Sequence, residues 1–371
     1  IKKSLFKYYQ NKSVFIFSLF YLYLLIRGIF SEYPYESLIE YNGPIFYFRY
    51  LFFVLGIQYL LDTNPKLIKA FCFSLLIVLL FTIFDGYLQW IIGVNFFGYN
   101  IEQNRLSGLF GKEKILGHFL SHLVPLSLGL LIYIFELNKK NIILFMTFLV
   151  ISEVLIFVSN DRAGFLKIFQ FTLLLILLSN NFKLYRIITF CISLILIALI
   201  LNFSQSSIKR YSATISDVSS TKIPYMPWTV NHELHFNVAY KMFESNPLFG
   251  QGPQLFRTLC YQIPEYNFGC TNHPHNYYFQ TLGELGLVGL IFISVGFFYL
   301  LFILLKQFVK LWFRDNSKIN ETIPDYKVAL FSLAFILFWP LIPHQSFYNN
   351  WLNVYVFLPF GFIFYFQKSK K

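Results

Sequence analysis

Histidines and arginines are the residues of this sequence whose types and spacing could carry chemistry, and the most specific stretch is His273-Pro274-His275-Asn276. A neutral histidine can act as a general base near pH 7. A histidine could instead cap the helix that the following apolar residues predict. The H-x-H pair could also bind a metal ion, but no H-E-x-x-H motif or nearby cysteine pair completes such a site. The sequence leaves these three interpretations open.

A second candidate is Arg162, which lies in the stretch Asp161-Arg162-Ala163-Gly164-Phe165 directly before an apolar run. A guanidinium beside the start of a helix presents several donors to phosphate oxygens, and the positive end of the helix dipole adds to them. The stretch is therefore a candidate anion site. The alternative is a short exposed turn with an Asp–Arg pair, which would contribute little.

A third candidate is Arg105, at the start of a basic stretch that contains Gly108 and Gly111 and ends at Lys114. Glycines combined with basic residues can also cradle phosphate, although no Walker or dinucleotide fingerprint is present. The alternative is an interfacial loop whose basic side chains extend toward the membrane surface.

The elements that must position these residues are membrane-spanning helices. Of the 371 residues, 56% are hydrophobic and only 13% are charged. Apolar runs repeat at about the 20-residue length that a helix needs to cross a bilayer, and they lack the strict alternation of a transmembrane β-barrel. We predict ten spans, at about 14–30, 44–61, 67–90, 115–136, 141–159, 164–179, 184–203, 283–305, 326–343 and 347–366.

Positive charges alternate between the two sides of this predicted topology. If the N-terminus is cytoplasmic, the inner loops and the two termini hold more than half of the 30 Lys and Arg residues. This positive-inside pattern predicts that both termini are cytoplasmic. It also explains the net charge of +12 without a nucleic-acid partner. The inner residues are Lys2, Lys3, Lys7, Lys12, Lys66, Lys69, Lys139, Lys140, Lys183, Arg186, Lys306, Lys310, Arg314, Lys318, Lys327, Lys368, Lys370 and Lys371.

The predicted fold class is an all-α polytopic membrane protein with about ten transmembrane helices and one large periplasmic loop. Residues 1–203 hold helices one to seven, 204–282 form the periplasmic loop with short helices, and 283–371 hold helices eight to ten. The first residue is Ile rather than Met, which suggests that upstream spans are missing, and a cleaved signal peptide is not expected.

The predicted outer side collects the candidate residues. Charged side chains at this depth are tolerated where they line a protected cavity. The outer residues are Arg49, Arg105, Lys112, Lys114, Asp161, Arg162, Arg257, His273, His275 and His344.

Three further features belong to the large loop and the span that follows it. Residues 232–244 have a helical pattern whose apolar face either lies on the membrane or a cavity, or only packs on its neighbours. Cys260 and Cys270 are a disulfide candidate in an oxidising periplasm, with two free thiols as the alternative. Gly283, Gly286 and Gly289, three residues apart, predict close approach of another helix.

The same stretches resemble a known family. His275-Asn276, then nine residues, Gly286, two residues and Gly289 reproduce the H-[NSQ]-x9-G-x-x-[GT] signature of bacterial O-antigen ligases and the related O-antigen polymerases. Residues 246–253 look like the "nPl.G.G" run that precedes this histidine. Residues 161–165 are similar to the family's Arg-small-small-aromatic turn, and 105–110 to its R-x-x-G-x-F stretch. The resemblance covers roughly residues 100 to 300, although family members often carry more spans.

The resemblance implies a glycosyltransferase of lipopolysaccharide biosynthesis in the bacterial inner (plasma) membrane, with its active site facing the periplasm. Such an enzyme transfers a glycan from undecaprenyl diphosphate to a hydroxyl of lipid A core (ligase) or of another repeat (polymerase). Its partners would be this glycan donor, a glycolipid or glycan acceptor and membrane lipids, with no cofactor and no metal. The implied roles are His275 as catalytic base, Arg162, Arg257 and Arg105 as diphosphate ligands, and Arg49, His273, Asn276 and Lys114 as supporting residues.

Two other classes of protein compete with this interpretation. A transporter or flippase of lipid-linked glycan would also need a basic cavity, but transporters tend to show inverted repeats and broken helices at the midplane. No repeat between the two halves is evident here, and the candidate charges lie on one side, so the enzyme is favoured. An intramembrane metalloprotease would need ligands that the sequence lacks.

Overall fold

The computed structural model describes residues 8–40, 43–181, 183–220, 228–263, 269–313 and 322–368. Within these ranges the chain forms 14 α-helices, three short 3₁₀ turns and no β-strand. The helices are α1 (Lys12–Ile29), α2 (Pro34–Leu38), α3 (Arg49–Thr63), α4 (Lys66–Ile92), α5 (Leu116–Ile134), α6 (Lys139–Val158), α7 (Arg162–Leu178), α8 (Lys183–Phe203), α9 (Gln205–Ser219), α10 (Val230–Ser245), α11 (Phe256–Leu259), α12 (Tyr277–Trp312), α13 (Asp325–Leu337) and α14 (Asn350–Lys368).

Each of the ten predicted spans coincides with a helix. Seven segments among the described residues are long and apolar enough to cross a membrane: α1, Pro44–Thr63, α4, α5, α6, α8 and α12. The remaining three predicted spans correspond to α7, α13 and α14, which have 17, 13 and 19 residues. The expected all-α polytopic membrane fold is confirmed.

Two ends differ from the predicted spans. The ninth span was predicted to reach residue 343, but α13 ends at Leu337. Pro340 and Pro343 follow closely, and a proline disfavours helical backbone at the residue before it. The eighth span was predicted to begin at 283. Helix α12 instead begins six residues earlier, at Tyr277, because Asn276 caps it there. Of the basic residues predicted inside, Lys2, Lys3, Lys7, Arg314, Lys318, Lys370 and Lys371 lie outside the described residues.

The chain divides into two compact units. The first comprises the described parts of Ile1–Tyr59, Ser216–Tyr299 and Phe338–Phe364. Its core is aromatic: Tyr47 stacks on Phe347 with ring centroids 5.1 Å apart, and Tyr50 stacks on Phe357 at 4.8 Å. Such pairs contribute beyond their buried area, so this unit has a well-packed frame for its loops.

The second unit comprises the described parts of Leu60–Ile215, Leu300–Leu337 and Tyr365–Lys371. Helix α5 is its centre, with residues buried on every face from Leu116 to Leu131. Polar side chains also link its helices: Glu153 of α6 accepts hydrogen bonds from Thr172 of α7 and Ser193 of α8. Such buried bonds stabilise one arrangement of helices because an unsatisfied carboxyl would be costly.

The helix predicted at 232–244 is present as α10. Its apolar residues Val238, Ala239 and Met242 are buried against Leu255 and Phe256. This face therefore packs on neighbouring residues of the loop, which is the second of the two interpretations left open by the sequence.

Candidate functional site

Two stretches of the family-like pattern form one structure in the first unit. Helix α12 is kinked at Gly286, where φ is 64° and ψ is −162°. The loop 246–253 lies against this kink. The amides of Leu287 and Val288 donate to the carbonyls of Pro247 (2.9 Å) and Leu248 (3.3 Å), and the amide of Gly252 donates to the carbonyl of Glu284 (2.8 Å). The loop thus provides partners for backbone groups around the break.

Glycines make this close approach possible. A Cβ on Gly286 would lie 2.5 Å from the carbonyl carbon of Leu248, and one on Gly250 would lie 2.4 Å from that of Glu284. Of the three glycines predicted to admit another helix, Gly283 does so, since its Cβ would lie 2.8 Å from the carbonyl oxygen of Ala239 in α10. At Gly286 the neighbour is a loop instead.

Three residues that the sequence did not single out stabilise this loop, the kinked helix and the residues that follow the loop. Arg27 donates from Nη2 to the carbonyl of Gly250 at 2.7 Å. Tyr23 donates to the carbonyl of Leu285 at 2.6 Å. The buried carboxyl of Glu284 accepts from the amide of Phe256 at 3.0 Å. Arg27 and Tyr23 belong to the first span, more than 200 residues from their partners, and no local pattern signals that pairing.

The kinked helix begins directly after the two predicted histidines. Asn276 caps it: Oδ1 accepts from the amides of Tyr278 (2.9 Å) and Phe279 (3.3 Å), while Nδ2 donates to the carbonyl of Pro340 (2.7 Å). The capping role that the sequence left open for a histidine therefore falls to Asn276. His275 has a left-handed backbone (φ 56°), a conformation that only a few per cent of non-glycine residues adopt, although histidine does so more often than most.

Four histidine rings gather at this point. The ring centroid of His275 lies 4.1 Å from that of His273, 5.4 Å from His235 and 6.0 Å from His232. Nδ1 of His235 lies 2.8 Å from the carbonyl oxygen of Gly269. Because a carbonyl oxygen can only accept, this nitrogen carries the proton and donates a hydrogen bond. The sequence analysis missed His232 and His235, although their i, i+3 spacing on a predicted helix places both rings on one face.

A fifth histidine is attached through the backbone. The amide of His344 donates to the carbonyl of His275 at 2.7 Å, and the His344 ring stacks on Tyr277 with centroids 4.3 Å apart. Tyr277 is completely buried. The strained backbone of His275 is thereby held from a second segment of the unit.

Burial decides the protonation of this cluster. Burial and, to a smaller extent, the neighbouring His235 lower the pKa of His275 from its ordinary 6.5 to about 4. Burial also lowers the pKa of His273 to about 3, with smaller contributions from His275, Arg257 and His235. Because a buried imidazolium is costly, both rings are neutral at pH 7. His275, the less deeply buried of the two, can accept a proton there.

A titration tests this assignment. We expect the His275 imidazole to titrate near pH 4 in the folded protein, followed by NMR of isotope-labelled histidine, against about 6.5 for a free side chain. The unfolded chain then binds this proton first, so the folded state loses stability as pH falls from about 6.5 to about 4. His235→Asn should move the pKa of His275 upward, and a wild-type value near 6.5 would contradict the assignment.

Metal binding was the third interpretation of the H-x-H pair. Among the residues that the structure describes, no group of three or more His, Cys, Asp or Glu side chains is arranged to hold a metal ion. The sequence prediction of a metal-free site remains a prediction.

A separate basic cluster lies in the second unit, where the structure brings two predicted stretches together. Asn160 donates from Nδ2 to the carbonyl of Asn104 at 2.7 Å. Arg105 lies 3.7 Å from the carboxylate of Asp161 and donates to the carbonyl of Lys114 at 2.7 Å. The Arg105 loop and the Asp161 turn therefore form one site, as their shared side in the predicted topology suggested.

Within this cluster the two charges of the Asp161-Arg162 turn have different partners. Asp161 caps α7 by accepting from the amide of Gly164 at 3.0 Å. Arg162, the first residue of α7, donates to the hydroxyl of Thr214 in α9 at 2.6 Å. A guanidinium at the start of a helix is an arrangement that favours an anion.

Helix α9 adds a third arginine to this cluster. Burial lowers the pKa of Arg105, Asp161 raises it, and the positive charge of Arg210 lowers it again. This last effect requires that Arg210 lies close to Arg105. The neighbouring Tyr211 stacks on Phe157 with centroids 4.7 Å apart, which holds α9 in place. The sequence analysis missed Arg210 because it belongs to a stretch with no motif.

The remaining predicted residues have these positions. Arg49 hydrogen-bonds Asn350 and lies 3.2 Å from the hydroxyl of Tyr50. Lys114 forms an ion pair with Glu102 at 3.8 Å. Cys260 and Cys270 are free thiols that interact with each other, and burial raises the pKa of both. Arg257 lies near enough to His273 to affect its pKa. The predicted disulfide remains a prediction.

The comparisons with known proteins agree with the resemblance seen in the sequence. Residues 145–294 match the family model described as O-antigen ligase. The matched range includes Arg162, Arg257 and His275 and excludes Arg49 and Arg105. A search of curated proteins finds no match.

Proposed function

From the O-antigen ligase region at residues 145–294, we propose that this protein transfers a glycan from undecaprenyl diphosphate to a hydroxyl of a glycolipid acceptor. The family match supports membership of the O-antigen ligase and polymerase group in general, and glycosyltransferase activity with it. The ligase reaction, the donor and the acceptor are the finer part of the proposal.

The observation that carries the proposal is the environment of His275. Its imidazole is kept neutral by burial, it is not the helix cap, and its backbone is held in a strained conformation by neighbouring segments. Strain of this kind persists where the surrounding structure fixes a functional side chain. An imidazole that is neutral at pH 7 and fixed in position can accept a proton, although a pKa of about 4 makes it a weaker base than a free histidine.

The proposed reaction exchanges one glycosidic bond for another. The acceptor hydroxyl oxygen forms a bond to the anomeric carbon of the donor glycan, and its proton passes to a ring nitrogen of His275. The bond between the anomeric carbon and the diphosphate oxygen breaks, and the electron pair leaves with undecaprenyl diphosphate. The leaving group gains negative charge, so cations near its oxygens lower the barrier.

Arginine side chains are cations that can bind such oxygens. We assign the diphosphate first to Arg162, whose guanidinium lies at the start of α7, with Arg105 and Arg210 as further ligands. Arg257, beside the histidines, is a second candidate. Lys114, Arg49, His273 and Asn276 act through the residues they contact, since each has a structural partner described above.

We also propose that this chemistry occurs at the periplasmic face of the bacterial inner membrane, with both termini in the cytoplasm. In this proposal residues 204–282 form the periplasmic loop between the spans of 1–203 and those of 283–371. The placement of Lys and Arg along the sequence supports it.

Genetic complementation tests the choice of acceptor. The gene is expressed separately in a strain that lacks its O-antigen ligase and in one that lacks its polymerase, and the surface glycan is resolved on a gel. The proposal predicts that glycan returns to lipid A core in the first strain. If chain-length ladders return in the second strain only, the protein is a polymerase. If surface glycan is restored in neither strain, the proposed acceptor is wrong.

Substitution of Arg162 tests the donor site. Arg162→Ala should weaken binding of undecaprenyl diphosphate to the protein in nanodiscs by about tenfold or more, because a charge-assisted hydrogen bond to phosphate is lost. Lys139→Ala, which removes an exposed charge at the start of α6, is the matched control. Donor affinity that stays the same in Arg162→Ala would contradict the assignment.

A further inference from the structure

A short hairpin with exposed aromatic side chains follows helix α4. Gly93 ends the helix in a left-handed conformation (φ 89°), and the chain turns back so that the amide of Asn95 donates to the carbonyl of Tyr99 at 3.0 Å. We call residues 94–100 the aromatic hairpin. Phe96 and Phe97 are 63% and 60% exposed, although both are large apolar side chains.

Two polar residues of α4 fix this hairpin. Asp85 accepts at Oδ1 from the amide of Phe96 at 2.8 Å, and Gln89 donates from Nε2 to the carbonyl of Tyr99 at 3.1 Å. Both are fully buried, with 0% of their surface exposed. Polar side chains inside a spanning helix are costly unless they are hydrogen-bonded, and here they bond to backbone groups of the hairpin.

These bonds place the hairpin beside the end of α4, a helix long and apolar enough to cross a membrane. Asp85 precedes the last helical residue, Ile92, by seven positions, which is about 10 Å along the helix. Helix α4 has 27 residues, about 40 Å, whereas the hydrocarbon core is only about 30 Å thick. The hairpin therefore lies beside the last two turns of α4, where backbone groups need partners within the protein.

The surface around the hairpin has the composition of a lipid contact. No charged residue occurs between Asp85 and Glu102. Ile91 and Ile92, at the end of the spanning helix, are as exposed as the two phenylalanines, so the apolar surface continues from α4 onto the hairpin. Basic residues follow in the next loop, where they suit the phosphates of lipid headgroups.

The hairpin is joined to the Arg105 loop by the same polar residues. Gln89 accepts at Oε1 from the amides of Ser107 (3.0 Å) and Gly108 (2.8 Å). Asn95 of the hairpin donates to the carbonyl of Gly108 at 2.6 Å. Because these bonds hold the hairpin and residues 107–108 together, the depth of the hairpin in the membrane also sets the depth of the nearby Arg105.

We infer that the aromatic hairpin inserts among the acyl chains of the outer-leaflet lipids and so fixes the Arg105 loop at the depth of the phosphate groups. Phenylalanine side chains are among those that bury at the boundary between headgroups and acyl chains. The part that concerns the donor rests on the function proposed above. The diphosphate of a polyprenyl lipid lies at headgroup depth, so an arginine that binds it must lie at the same depth, and the hairpin fixes that depth.

Spin labelling measures the depth without a transfer assay. The full chain carries one cysteine label at position 97, with the four native cysteines replaced, and is reconstituted in vesicles of phosphatidylglycerol and phosphatidylethanolamine. We expect the label to be accessible to oxygen and protected from a water-soluble nickel relaxant. A label at Tyr261, which is 65% exposed in the large loop, should behave oppositely. Equal access of nickel to both sites would overturn the inference.

Substitutions of Phe97 test whether the depth of the hairpin affects the KM for the lipid-linked donor. Phe97→Asp should raise the KM for the undecaprenyl donor in vesicles about tenfold, because it is unfavourable to place a charge in the apolar part of the interface. Phe97→Leu should keep the wild-type KM. An unchanged KM in Phe97→Asp overturns the depth role even if the label inserts. Absence of transfer by the wild type, with an inserted label, would refute the proposed function and leave the lipid contact standing.

Discussion

Replacement of His275 by alanine is expected to lower the rate of glycan transfer by about 100-fold or more, which is the contribution usual for a general base. The acceptor hydroxyl then has to lose its proton to water. Expression and membrane insertion should be unaffected, because the helix cap belongs to Asn276 and the His275 backbone bond to His344 involves only the main chain. The measurement is transfer from purified undecaprenyl-diphosphate glycan in proteoliposomes.

A matched control separates chemistry from folding. Asn272 is an exposed residue of the same loop, and Asn272→Ala should transfer at the wild-type rate. If it loses as much activity as His275→Ala, the loop conformation and not the imidazole is responsible. Transfer at the normal rate by His275→Ala would remove this residue as the base, and His273 would then be tested in the same assay.

The sequence alone predicted much of the fold because a bilayer imposes strong constraints. Apolar runs of sufficient length, bounded by Lys and Arg, led to ten segments, and each is helical in the structure. The loop helix at 232–244 was recognisable from its apolar spacing. The end of α13 was predicted too far along, since hydrophobicity continues through Trp339 and Leu341 although Pro340 and Pro343 interrupt the helix.

The candidate site was predictable where its parts lie close together in the chain, and the predicted topology also grouped the Arg105 loop with the Asp161 turn. His273 and His275 are neighbours in sequence and in space, and so are Asp161 and Arg162. His235 approaches His275 from a helix 40 residues earlier in the chain. Such a contact depends on tertiary packing, which has no local pattern.

The glycine pattern was partly misinterpreted for a related reason. Three glycines at a spacing of three residues are typical of a helix that admits another helix, and Gly283 follows this rule. Gly286 instead breaks the helix, and the inserted backbone is a loop. Both situations require a residue without Cβ, so residue type alone cannot distinguish them.

Substitution of Gly286 is expected to have the second large effect. Its φ of 64° and ψ of −162° lie in a region that is essentially restricted to glycine, and forcing another residue into it costs about 1–3 kcal/mol. A Cβ would in addition lie 2.5 Å from the carbonyl of Leu248 and 2.6 Å from the amide of Gly250. Gly286→Ala should therefore displace the 246–253 loop, and thermal unfolding in detergent micelles should begin at a clearly lower temperature.

Helix α12 provides its own control at Gly296, where an added Cβ would meet no atom within 4 Å. Gly296→Ala should leave the unfolding temperature unchanged or raise it slightly, because alanine favours a helix by about 1 kcal/mol over glycine. The contrast isolates the kink, since both substitutions add the same methyl group to the same helix. If Gly286→Ala is as stable as Gly296→Ala, the helix has straightened and the loop is not packed against it. Transfer activity lost without a loss of stability would instead show that the loop acts on the position of His275, because the kinked helix begins one residue after the Asn276 cap.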